Sequence, residues 1–141
     1  MHRMGIEEFP LAWRWTKSAH TVLPPDVLTS MVSLQGEEAD RLYRRGEEVF
    51  RAVVGSRIQH VAEDPDVARA WLQSLPFTSD NRVFLAWNNT TALSLPWHSF
   101  IAYWDDFCYP SSDDVFAFPE VGSGALAWNH EGVFEFAENA V

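Results

Sequence analysis

The sequence predicts a single α+β domain: a helical N-terminal half packed on one face of an antiparallel sheet of about four or five strands, with one further helix between two C-terminal hairpin units. Three observations predict it. An apolar stripe at helical spacing runs from Glu37 to Val54. Paired strand-like runs gather after residue 80. The turn sequences Asn88-Asn89 and His130-Glu131-Gly132 each lie between two such runs.

Length and composition agree with one domain spanning residues 1–141. A chain of this size buries roughly 70% of its extended surface on folding. An apolar fraction of 47%, with 7 Trp, 10 Phe and 3 Tyr, supplies a well-filled core. The single cysteine, Cys108, rules out an internal disulfide, and MHRMGIEEFP places acids where a signal peptide needs an apolar run, so a cytosolic setting is expected. No apolar run approaches the roughly 20 residues that span a bilayer, so no membrane partner is expected.

Taken in order, LAWRWT (11–16) alternates Leu11, Trp13 and Trp15 against Ala12, Arg14 and Thr16, the period of a half-buried strand. Pro24-Pro25 then opens a short helix over DVLTSMVSL that ends near Gly36. In the helix from Glu37 to Val54, Ala39, Leu42, Tyr43, Gly46, Val49, Phe50, Val53 and Val54 step by three and four. Gly46 on that stripe costs about 1 kcal/mol relative to Ala, so another element is expected to approach it closely. Asp64-Pro65 supplies a cap and first-turn proline for a helix over DVARAWLQSL.

RVFLAWN and TALSL then form a hairpin about Asn88-Asn89. From Pro96, a helix would align Trp97, Phe100, Ile101, Trp104, Phe107 and Cys108 on one apolar stripe, leaving His98, Ala102, Asp105 and Asp106 on the other face, and would end at Tyr109-Pro110. In the last hairpin, a three-residue loop with Gly132 left-handed pairs Trp128 with Phe134 and Leu126 with Phe136. That register puts the large apolar groups on one face.

The net charge of −10 is unevenly placed: residues 70–141 carry nine acids and one base, Arg82. Such a field repels phosphate backbones, which argues against nucleic acid and for a basic protein partner. Two of the acids, Asp105 and Asp106, fall in the last turns of the expected helix, where its dipole disfavours anions. The compensating base is expected to be Arg82 or an arginine of the helix from Glu37. With Asp113 and Asp114 in the turn that follows, they form the candidate interaction surface.

Catalytic and metal motifs are absent from the sequence. The five histidines lie at no metal-motif spacing to one another or to Cys108, and there is no HExxH, CxxC, EF-hand loop, GxSxG, P-loop or GxGxxG. No metal, cofactor or catalytic residue is therefore assigned, and Cys108 reads as a small buried hydrophobe.

The segments WRWTKSAHTVLPPDVLTSMVSL, TSDNRVFLAW, PWHSFIAYWDDFCYPSSDD and HEGVFEF, in that order, resemble a small bacterial family known as domain of unknown function 2947. The resemblance implies a bacterial origin and an α+β domain, and assigns no catalytic residue. LPPDVL followed by Gln35-Gly36 and then strands is similar to the SMI1/KNR4-like immunity proteins, which bind and neutralise toxin domains.

The leading expectation is a non-enzymatic cytosolic binding protein with an acidic surface. The alternative is an enzyme or small-ligand binder whose pocket is lined by Trp87, Trp104 and Trp128 and holds His98 or His130 beside the carboxylates. A third expectation is a homo-oligomer joined through exposed aromatics.

Overall fold

The computed structural model describes residues 9–16, 22–51, 57–78 and 80–138. Thirteen elements follow one another: α1 (Trp13–Thr16), α2 (Pro25–Ser30), β1 (Val32–Leu34), α3 (Glu37–Arg51), β2 (Arg57–Val61), α4 (Pro65–Gln73), β3 (Arg82–Asn88), β4 (Thr91–Pro96), α5 (Trp97–Ala102), α6 (Trp104–Phe107), β5 (Val115–Pro119), β6 (Ala125–Asn129) and β7 (Val133–Ala137). The expected helix positions Val53 and Val54, and the histidines at 2 and 20, lie outside the described residues.

The α+β class and antiparallel sheet hold, but the sheet has seven strands, in the order β1-β4-β3-β5-β6-β7-β2. β5, which the sequence did not mark, pairs between β3 and β6, and two further strands come from the expected helical half and occupy opposite edges. At one edge, the helix begun at Pro25 stops at Ser30 because Met31 turns extended (φ −80, ψ 139), and Val32 and Leu34 pair with Ser94 and Ala92 of β4. At the other edge, β2 pairs along β7 from Arg57↔Ala137 to Val61↔Val133.

Helices cover both faces of the sheet, which corrects the expected one-sided packing. Beneath one face lies the large core, where Trp15, Leu72, Trp97, Phe100 and Phe107 of the helices meet Leu85, Leu93, Leu126, Phe134 and Phe136 of the strands. On the other face lies α3 alone among the described helices. Its Ala39, Leu42 and Tyr43 pack with Ala86 and Ala92, and its Val49 and Phe50 pack with Phe116 and Phe118. The expected stripe, from Ala39 to Phe50, is therefore the face packed on the sheet. The close approach at Gly46 is real: a Cβ there would run into the ring of Phe116.

Local rules account for several further elements. Asp64 caps α4 by accepting from the amides of Asp66 and Val67, with Pro65 in the first turn. The last hairpin has the expected register, Trp128↔Phe134 and Leu126↔Phe136, with Gly132 at φ 85.

Two expected elements differ. LAWRWT forms a helical turn, not a strand: Ala12, Arg14 and Trp15 donate to carbonyls three residues back, and burying Ala12 with Trp15 uses helical spacing. The first hairpin turns at Asn89-Thr90, one residue later than expected, because the register shifts between Ala86 and Asn88, and Asn88 Oδ1 accepts from the Thr90 amide at 2.9 Å.

Candidate interaction surface

The acidic stretch begins with a broken helix. The expected helix from Trp97 divides at Tyr103 (φ −125, ψ 30), yet Trp97, Phe100, Ile101, Trp104, Phe107 and Cys108 all remain buried. The break reverses an expectation about charge. Asp105 and Asp106 lie in the single turn of α6, after its start at Trp104, and not at the end of a long helix.

The turn after α6 is organised by Asp113, which is buried and so leaves the expected surface. Its carboxylate takes a bidentate contact from Arg14, Nη1 to Oδ2 at 2.6 Å and Nη2 to Oδ1 at 2.9 Å, and accepts the amide of Tyr109 at 2.9 Å. Both side chains are only 6% exposed. The Tyr109 ring lies 3.9 Å from the guanidinium carbon, so a cation–π contact covers one side of the arginine. Its Nε finds no hydrogen-bond partner among the described residues. The base that pairs with Asp113 is thus Arg14 of α1. Arg82 donates to the Ser30 carbonyl at 2.7 Å and to Ser94 Oγ at 3.0 Å.

Burial pushes the Cys108 thiol well above its ordinary 9.0, and the Asp113 carboxylate pushes the same way against Arg14. A neutral, enclosed thiol is a poor nucleophile. Burial also raises Tyr109 above its ordinary 10.0, against the lowering influence of Arg14.

Of the other expected surface acids, Asp105 is exposed, Asp106 is half-buried, and Asp114 is exposed beside His130. Asp114 Oδ1 accepts the His130 amide at 3.1 Å and lies 3.1 Å from its Nδ1. The Asp114–His130 pair joins the start of β5 to the β6–β7 loop.

Of the tryptophans of the expected pocket, Trp104 and Trp128 lie 5.5 Å apart. Trp87, Trp104 and Trp128 are buried in the core, and their indole N–H groups donate to the carbonyls of Phe107, Pro65 and Tyr109. A different tryptophan accompanies His98. It lines a cavity of about 290 Å³ between α4 and α5 with Arg69, Gln73, Phe77 and Trp97. Neither His130 nor a carboxylate lines that cavity. No group of three or more His, Cys, Asp or Glu poised to hold a metal ion occurs among the described residues.

A second concavity, of about 300 Å³, lies on the α3 face of the sheet. Tyr43, Glu47 and Phe50 of α3 form one wall at spacings of four and three, and Phe116, Ala127 and Val133 lie across from them. Asp114 and Glu135 complete an acidic lining that contains no Lys, Arg or His among the residues whose side chains are described. The sequence reading includes only Asp114 of these carboxylates. The alternation Val133, Glu135, Ala137 against Phe134 and Phe136 already separates Glu135 from the core face, but not which part of the opposite face a helix leaves open.

Among known proteins, no family model, curated protein or solved structure matches this chain.

Proposed function

We propose that this chain is a non-enzymatic cytosolic binding protein that engages a basic protein partner through an acidic surface. The observation that carries the reading is the destination of the bases. Arg82, the one base among residues 70–141, is spent on Ser30 and Ser94, and Arg14 is spent on Asp113, while Asp105 and Asp114 face solvent. The acidic field is thus left for a partner to complement. The sequence resemblance to immunity proteins makes a toxin domain one partner class for this reading, alongside the proposed kinship with domain of unknown function 2947.

The test is affinity capture across a salt series, comparing wild type with the Asp105→Asn, Asp106→Asn, Asp114→Asn variant. Loss of captured protein as salt rises, and slower association of the variant, are expected, because attraction between exposed charges is screened beyond about 8–10 Å at physiological ionic strength. Equal capture by both proteins at every salt concentration would remove the main support. The His98 cavity favours a second reading, a small-ligand binder, and a saturable ligand whose affinity falls in His98→Ala would identify it.

A further inference from the structure

The second face of the sheet is covered on one side only. Helix α3 packs across β4, β3, β5 and β6, while β7 and β2 present Val133, Glu135, Gln59 and Val61 on the same side with no helix over them among the described residues. Val61 is 58% exposed. Adjacent strands lie about 4.8 Å apart and packed helices about 8–10 Å apart, so the space beside α3 over β6 and β7 has the width of a second helix. The acid-lined groove marks its near wall.

We propose that this groove receives a helical, lysine- or arginine-bearing segment of a basic partner protein. Its apolar stripe would lie along Phe116, Ala127 and Val133, with its cations at Glu47, Asp114 and Glu135. Charge complementarity selects this occupant. Among the residues whose side chains are described, the lining holds three carboxylates and no base, while a second copy of this chain would bring a net charge of −10 to the same place. Glu47 pairs with Arg51 at 3.7 Å and Asp114 with His130 at 3.1 Å, both on the surface. Exposed pairs of this kind contribute little, so an incoming cation displaces them readily.

The inference rests on the reading of the chain as a binder of a basic partner, and the experiment separates the two. Wild type is titrated with a leucine–lysine peptide of about four helical turns, apolar on one face, and separately with oligolysine. The amphipathic peptide is expected to become helical on binding and to shift the backbone amide signals of 43–50 and 127–135. Ala127→Trp, which fills the groove, and the double variant Glu47→Gln, Glu135→Gln are each expected to weaken it by about tenfold or more. Ala127→Trp should leave oligolysine binding unchanged. If Ala127→Trp does not fold, the double variant decides. Undiminished peptide affinity in the folded variants, with salt-sensitive oligolysine binding retained, would overturn the groove while leaving the acidic-surface reading standing. Failure of wild type to bind either probe would overturn both. A wild-type dimer dissociated by Ala127→Trp would make the occupant a second copy and overturn the proposal.

Discussion

Arg14 and Asp113, 99 residues apart in the chain, close a bidentate ion pair at 2.6 and 2.9 Å inside the protein, and the same carboxylate holds the amide of Tyr109. The pair ties α1 to the turn before β5. Removing one partner leaves the other buried and charged, at a cost of about 3–5 kcal/mol. Asp113→Ala is therefore expected to lower the urea midpoint by an amount equivalent to that loss. Replacing both partners, as Arg14→Met with Asp113→Leu, should recover much of it. Equal destabilisation by the single and double variants would show that the tie to Tyr109 matters more than the ion pair.

The exposed acids behave differently. Asp105→Asn and Asp114→Asn are expected to change stability by within about 0.5 kcal/mol, since neither is buried. A denaturation series on the single variants checks this. A loss of several kcal/mol would make these acids part of the fold and would disqualify them as a partner surface.

Cys108 predicts an alkaline limit to stability. Its folded-state pKa is raised, so the native state holds its proton more tightly than the unfolded chain does. This contribution is fully present below the ordinary value of 9.0 and is lost progressively as pH rises above it toward the folded value. Tyr109 adds a loss of the same sign above its ordinary 10.0. Unfolding free energy is expected to fall as pH rises above about 9, with a shallower fall in Cys108→Ala. Native protein at pH 8 should resist thiol-specific reagents and react fully in denaturant. Rapid native labelling would contradict the burial.

Gly46 tests the contact between α3 and the sheet. An alanine gains about 1 kcal/mol of helix propensity, but its Cβ meets the Phe116 ring, which is stacked on Phe50 at 5.7 Å. Gly46→Ala is expected to destabilise by about 1–3 kcal/mol, and Gly46→Leu by at least as much. In a Phe116→Leu background the alanine penalty should shrink, measured as a double-mutant cycle.

Gly132 tests the backbone alone. At φ 85 it is left-handed, and the nearest atom to an added Cβ is Trp128 Cη2 at 4.0 Å, so space is not the obstacle. Gly132→Ala is expected to cost about 1–2 kcal/mol, and Gly132→Asn less, since asparagine tolerates this region. Equal costs would point to a constraint other than φ.

What the sequence by itself determined is what acts over a few residues. The stripe from Ala39 to Phe50, the Asp64-Pro65 cap, the loop at Gly132 and the burial of Trp97 through Cys108 follow from side-chain period and local hydrogen bonding. Even where the helix broke at Tyr103, the apolar positions stayed inside, because burial follows the pattern of side chains more closely than the continuity of the backbone. Only the tertiary structure decided which distant groups close on one another. Val32–Leu34 is three residues long, and Arg57–Val61 carries only Ile58 and Val61 as apolar residues, on opposite faces; both became strands because β4 and β7 offered unpaired edges. Arg14 lies in a turn that reads equally well as extended chain until Asp113 claims it. The acid-lined groove likewise depends on where α3 stops across the sheet. Glu47, Asp114 and Glu135 come from α3, the turn before β5 and β7, and no local period relates a residue in one of these segments to a residue in another.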